Sequence, residues 1–219
     1  MTKTDHPTIV HTQSGSLLQN GDAISGNVLF TDIPCSGVAS VSGTVSGTAV
    51  TLNVDPVGTS ITLVGTVSSG APPMSGSYTI LSTGCVGPES SPEVGSWSAS
   101  LIPPLSGKIT GSFTSSAGVS YAVTGQVSQA ANTGSSSTPL SGNISVAGYC
   151  FAAANIVGAI SGTSVTMNMV SAEGVDIGQA NGSVSGSMVS GPYHVVPQGV
   201  GGTEPCVDGA NGTISLTVR

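Results

Sequence analysis

The second half of this 219-residue chain repeats the first at a nearly constant spacing. Ile24-Ser25-Gly26-Asn27-Val28 returns as Leu140-Ser141-Gly142-Asn143-Ile144, and Val41-Ser42-Gly43-Thr44 returns as Ile156-Val157-Gly158-Ala159. Cys35 and Cys150, Gly43 and Gly158, and Tyr78 and Tyr193 are each separated by 115 positions. A fixed offset over most of each half means that one structural unit is used twice, and it sets the expected boundaries at residues 1–103 and 104–219.

Within each half the apolar residues recur every second position. Val50, Leu52 and Val54 alternate with Thr51 and Asn53, as Val165, Met167 and Met169 do with Thr166 and Asn168. Alternate side chains of a strand point to opposite faces, so this pattern gives strands with one buried and one wet face. The expectation is an all-β chain of two tandem antiparallel units, β-sandwich or β-barrel, related by duplication.

Turns can be placed from glycine. Ser46-Gly47-Thr48 predicts a hairpin whose two-residue loop is Ser-Gly or Gly-Thr, and Gly-Thr suits a type II′ turn, which takes glycine first. Ser116-Ala117-Gly118, with Gly118 left-handed, would set Phe113 opposite Tyr121. The pairs Gly43/Gly47, Gly158/Gly162 and Gly182/Gly186 are expected on an inward face, leaving room for bulk opposite. About eight strands are read in the second half and about seven in the first. Thr8-Ile9-Val10-His11-Thr12 opens the first unit and aligns with the second strand of the later one, so the counterpart of Ile109 to Phe113 is missing.

Charge narrows the function. Only 6% of residues are charged and the net charge is −7, with three basic residues, Lys3, Lys108 and Arg219. Nucleic-acid binding needs clustered Lys and Arg, so that partner is excluded. No apolar run approaches the roughly 20 residues of a spanning helix, so no membrane span is expected. A mean hydropathy of +0.32 argues against disorder, which goes with low hydrophobicity and high charge. Met1 to His6 has no apolar core, so an exported chain is expected to have lost its leader.

Cys35, Cys85, Cys150 and Cys206 permit three pairings. The duplication favours Cys35 with Cys85 and Cys150 with Cys206, each closing a loop of roughly 50 residues and contributing about 4 kcal/mol. No C-x-x-C spacing marks a zinc or redox site, and reduced buried thiols are the alternative reading.

No catalytic, cofactor or metal residues emerge. Gly-x-Ser-x-Gly is absent from the sequence. Glu89, Glu93 and Glu204 read as solvated loop carboxylates. His6, His11 and His194 lack metal-ligand spacing, and Glu173 and Asp176 are too sparse for a calcium loop. By parity Trp97, with Ala99 and Leu101, and Tyr78 and Tyr121 belong to the core, while Tyr149 and Phe151 are not placed. Asn143, Asn181 and Asn211 lie in Asn-x-Ser/Thr sequons that could carry glycans.

Leu105-Ser106-Gly107-Lys108-Ile109-Thr110-Gly111-Ser112-Phe113, the Ser/Thr-rich strands and the tandem cysteine-containing units resemble exported Gly/Ser/Thr-rich β-repeat lipoproteins of soil bacteria. That resemblance implies an extracellular or cell-surface location. The function expected is therefore a non-enzymatic extracellular structural protein, a fibre or pilus-like subunit joined head to tail with other copies by strand addition. Thr8, Ile9, Val10, His11 and Thr12, within His6 to Ser14, form the expected donor strand. The alternative is a calycin-like or sandwich module holding a small apolar ligand or a glycan.

Overall fold

The computed structural model describes residues 1–8, 10–31, 36–56, 59–68, 74–81, 92–196 and 211–219. Among them every regular element is a strand, and the chain divides into two compact units. The first comprises Met1–Leu101 with Asn132–Ser136, the second Ile102–Ala131 with Ser137–Arg219. The five residues Asn132–Ser136 thus group with the first unit although they lie in the second half of the sequence.

The second unit is a closed antiparallel barrel in which each strand pairs with the next. Its strands are β9 (Gly107–Ser115), β10 (Ser120–Gln129), β11 (Thr138–Val146), β12 (Ala153–Ser161), β13 (Ser164–Val170), β14 (Asp176–Ser185), β15 (Met188–Val195) and β16 (Asn211–Val218). β16 returns to pair with β9, Ile214 facing Phe113 and Val218 facing Ile109. Closure settles the open choice between sandwich and barrel for this unit.

The period-two pattern builds its wall. Val123 and Val127 point in, while Thr124, Gln126 and Ser128 point out and pair with Ser145, Asn143 and Ser141 of β11. An apolar interior and a hydroxyl- and amide-covered exterior reverse the arrangement of a lipid-facing barrel. No helix among the described residues is long and apolar enough to cross a membrane. An eight-stranded barrel has an interior that side chains can fill. Here the void among Phe113, Ile144, Met167, Met169 and Leu216 measures about 10 Å³, at the lower limit of room for one water.

Aromatic rings fill one part of this core. Phe113 stacks on Tyr193 at 4.8 Å between centroids, and Tyr149 and Phe151 meet Phe113 edge-on at 5.9 and 6.4 Å. Tyr149 and Phe151, left unplaced by their sequence context, are thus core residues carried by the β11–β12 connection. Cys35, Cys85 and Cys206 lie outside the described residues, as do Ile9, Glu89 and Glu204.

The first unit repeats this meander with β2 (Gln13–Asn20), β3 (Ala23–Phe30), β4 (Gly37–Ser46), β5 (Ala49–Asp55), β6 (Ile61–Val67), β7 (Met74–Ile80) and β8 (Glu93–Ala99). Beyond β8 lies only the two-residue β1 (Thr2–Lys3), so the sheet runs β1-β8-β7-β6-β5-β4-β3-β2. Among the described residues, only the two-residue β1 pairs with the outer side of β8.

The turns follow their glycines. Ser46 pairs with Ala49, so the loop is Gly47-Thr48; Gly47 has φ +58° and no non-glycine residue among those described has positive φ, which fits type II′. Phe113 faces Tyr121, with Gly118 at φ +83°. The glycine pairs need correction. Gly43 lies inward, where an added Cβ would fall 2.9 Å from Leu52 Cδ2, but Gly47, Gly162 and Gly186 are turn residues at φ near +60°.

Candidate functional site

The eighth strand separates the two units. In the second, Phe113-Thr114-Ser115 of β9 lies between Tyr121 and Ser120 on one side and Ile214, Thr213 and Gly212 on the other. In the first, Met1-Thr2-Lys3 takes the same register. Thr2 bridges Val10 and pairs with Ser96, Lys3 pairs with Gly95, and the backbones of Met1 and His11 exchange hydrogen bonds of 2.7 and 2.8 Å. Met1 therefore stands where Phe113 stands.

This arrangement revises the donor-strand expectation. Thr8 lies in a turn, Val10 is bridged to Thr2, His11 is bonded to Met1, and Thr12 precedes β2, which starts at Gln13. The segment closes back on its own unit instead of extending as an arm. Pro7 and the turn around it reverse the chain between Lys3 and Val10. A two-residue strand has no periodicity, which is why the role of Met1 to Lys3 was not legible in advance.

The rest of the β9 place corresponds to β2 from Gln13 to Leu17 and β8 from Trp97 onward. Their counterparts, Val123 to Val127 and Ile214 to Val218, are those that β9 covers. Burial differs between the two units. Val127, Leu140 and Ile144 are buried, whereas the residues in their places, Leu17, Ile24 and Val28, are half-buried. Val218 is 7% exposed and Leu101, in its position, 70%. Leu101, expected on the core face with Trp97, lies beyond the end of β8 and is exposed, because the alternation that turns Trp97 inward stops at Ala99.

Gln13 adds a polar mismatch. It occupies the inward place of Val123, and its Nε2 is buried without a hydrogen-bond partner. Such an orphaned donor costs about 1–3 kcal/mol. Leu17 O accepts a 2.9 Å hydrogen bond from Asn132 Nδ2. Trp97, the single tryptophan, is buried on β8 and donates through Nε1 to Val64 O at 3.2 Å.

The stub is held by charge. Glu93, expected as a solvated carboxylate, is 6% exposed, because the alternation that turns Trp97 and Gly95 inward also turns Glu93 inward. Tyr78 Oη donates to Glu93 Oε1 at 2.6 Å, and Lys3 Nζ lies 4.0 Å from Glu93 Oε2 and 3.6 Å from Asp5 Oδ2. Burial first, and then the Glu93 carboxylate, push the Tyr78 hydroxyl far above the usual phenol range. With its acceptors occupied by Tyr78 and its charge faced by Lys3, Glu93 has the partners of a structural carboxylate.

Elsewhere the titratable groups stay apart. His194 is exposed, with Nδ1 2.7 Å from Asn211 Oδ1, and His6 is exposed beside Asp5. Glu173 is exposed in a turn, where the Ser171 hydroxyl holds its carboxyl below the usual range. No group of three His, Cys, Asp or Glu that could hold a metal occurs among the described residues. Asn143, Asn181 and Asn211 are all exposed on the outer wall.

The described residues define a class: two tandem antiparallel β units, one a closed eight-stranded barrel and the other an eight-stranded sheet whose first strand is two residues long. Comparison with protein-family models, curated proteins and solved structures gives no match.

Proposed function

We propose that the chain is a non-enzymatic extracellular structural protein, built into a surface assembly by accepting a β-strand at the open edge of its first unit. One observation carries this reading: the two units share one meander, and among the described residues Leu17, Ile24 and Val28 of the first are half-buried where Val127, Leu140 and Ile144 of the second are buried. Sheet edges of this kind are natural templates for an added strand, and native proteins otherwise take care to cover them. The resemblance to exported β-repeat lipoproteins supports the location. The cysteine pairing Cys35–Cys85 and Cys150–Cys206 belongs to the same proposal, since bridges of this spacing persist where the medium is oxidising.

The head-to-tail version through Thr8 to Thr12 would first have to release Val10 from Thr2 and His11 from Met1, so the strand proposed is one from a neighbouring polypeptide. A ligand-holding barrel is the weaker reading, because a void of about 10 Å³ in the second unit leaves no room for an organic molecule. Electron microscopy of the native material, with sedimentation of the purified chain beside it, tests the proposal. Oligomers or filaments that contain the chain are expected in the native material. Isolated 21.2 kDa particles there would overturn it.

A further inference from the structure

The outer wall of the second unit carries a row of side chains that its fold does not call for. Asn168 of β13, Gln179 of β14, His194 of β15 and Asn211 of β16 lie side by side in register, one per strand. Gln179 Nε2 donates to Asn168 Oδ1 at 3.0 Å, and Gln179 Oε1 accepts from Asn181 Nδ2 at 3.1 Å. With Asn211 Oδ1 as acceptor, His194 Nδ1 carries the hydrogen of their 2.7 Å contact, which leaves Nε2 of an uncharged ring to accept. Asn168 is half-buried and the other four side chains are exposed.

The internal repeat separates this row from the needs of the wall. In the first unit the same places in the ladder hold Asn53, Thr62, Thr79 and Val94. Val64 stands there for Asn181, and Ser42, beside Asn53, for Val157, beside Asn168. Thr and Val suit exposed strand positions, whereas Asn is depleted in strands. The second unit has therefore given up strand propensity at Asn181 and Asn211 to gather amides in one row.

We propose that this row is a binding platform for an extended neutral glycan. Each amide is fixed by a neighbour and keeps a further donor or acceptor, which suits sugar hydroxyls that both donate and accept. Because the side chains hold one another, less rotamer freedom is lost when the ligand arrives. None of the five is an amine or a carboxylate, so a charged polymer finds no counter-charge among them. A purely apolar ligand would strip water from the amides without replacing their hydrogen bonds. Val157, exposed next to Asn168, offers an apolar contact for the C–H face of a sugar ring. An added peptide strand would need main-chain groups, and β13 to β16 are each already paired on both sides. Adjacent strands lie about 4.8 Å apart, so the row spans roughly 15 Å and takes several linked sugars rather than one. The platform belongs to the closed unit and is independent of how the chain assembles.

Cosedimentation of the full chain with insoluble polysaccharides tests this. The probes are cellulose, chitin, starch and mannan, with polygalacturonate as the charged control and gelatin as the peptide control. Saturable retention on at least one neutral glycan is expected, with little on either control. The variant Gln179→Thr/His194→Thr/Asn211→Val carries the first unit's own residues at these places. It should keep the wild-type circular dichroism and bind at least about tenfold more weakly. A single exposed change, His194→Ala, should weaken binding at least about threefold. Thr110→Val with Thr124→Val, on the outer faces of β9 and β10, should leave binding unchanged.

No retention on any of the four glycans, or wild-type retention by both the triple variant and His194→Ala, would overturn the inference. Stronger retention on polygalacturonate or gelatin would assign the row to a charged polymer or a peptide and overturn it too. So would a loss in the Thr110/Thr124 variant as large as that in the triple one.

Discussion

Tyr78 Oη lies 2.6 Å from Glu93 Oε1, with both residues buried, across neighbouring strands of the first unit. The Tyr78 ring packs against Gly95, where an added Cβ would sit 2.5 Å from Cε1. Tyr193 and Gly212 repeat the arrangement at 2.8 Å, but there the hydroxyl meets Tyr149 Oη at 3.3 Å instead of a carboxylate. The first unit thus puts a charge where the second puts a ring, and the charge holds Lys3 of the stub.

Tyr78→Phe removes the donor and leaves a buried carboxylate oxygen unsatisfied. A loss of about 1–3 kcal/mol is expected in denaturant unfolding. Glu93→Gln keeps an acceptor in place and should cost less. If the two substitutions cost the same, the hydrogen bond is not what holds this end of the unit.

Alkaline pH should weaken both units. Burial, the largest cause in each case, raises the Tyr78, Tyr149 and Tyr193 hydroxyls above the usual phenol value. The folded chain then holds protons that the unfolded chain has released, so stability falls as pH rises. The contribution is fully present below about pH 10, the unfolded phenol value, and is lost as pH climbs from there through the raised folded values. Phenolate absorbance of these three residues should therefore appear together with loss of β structure in an alkaline titration. Ionisation well before any unfolding would contradict the assignment.

The pairs of equivalent residues give a direct test of the acceptor edge. Val218→Ala deletes buried surface and should cost about 1.5–3 kcal/mol. Leu101→Ala deletes exposed surface and should change stability by no more than about 0.5 kcal/mol. Gln13→Val, which installs the Val123 side chain and removes the orphaned amide, should stabilise the first unit by about 1–3 kcal/mol. A Leu101→Ala loss as large as that of Val218→Ala would mean that the first unit is closed in solution.

Much of this was readable from the residues. The alternation of Val50, Leu52 and Val54 with Thr51 and Asn53 determines which face is buried however the strands are connected. The turn glycines Gly47 and Gly118 follow from the loop lengths that hairpins accept. The equivalence of the two units was visible because the repeat itself supplies the comparison. Closure was not visible, since a sandwich and a barrel share the period of two. Glu93 was misread because its neighbours Pro92 and Ser91 are loop residues, whereas its side-chain direction is set by the strand that begins there. Met1 to Lys3 escaped notice because their strand is recognised only through its partners, Val10, Gly95 and Ser96.

Hydrogen exchange should distinguish the two units. Amides of β10 and β16 donate into a ladder that β9 completes on both sides, so they open only when the barrel does. In β2 and β8 the half-buried Leu17 and Ala99 give fewer apolar contacts to lose on opening. Amides of Gln13–Asn20 and Trp97–Ala99 are expected to exchange at least about tenfold faster than those of Val123–Gln129 and Ile214–Leu216, a difference of about 1.4 kcal/mol in opening free energy. β5 and β13, central in their sheets, should exchange at closely similar rates and serve as the internal reference. Uniform protection across both units would show that the first unit has found an eighth strand within this chain, and the acceptor edge would then not exist.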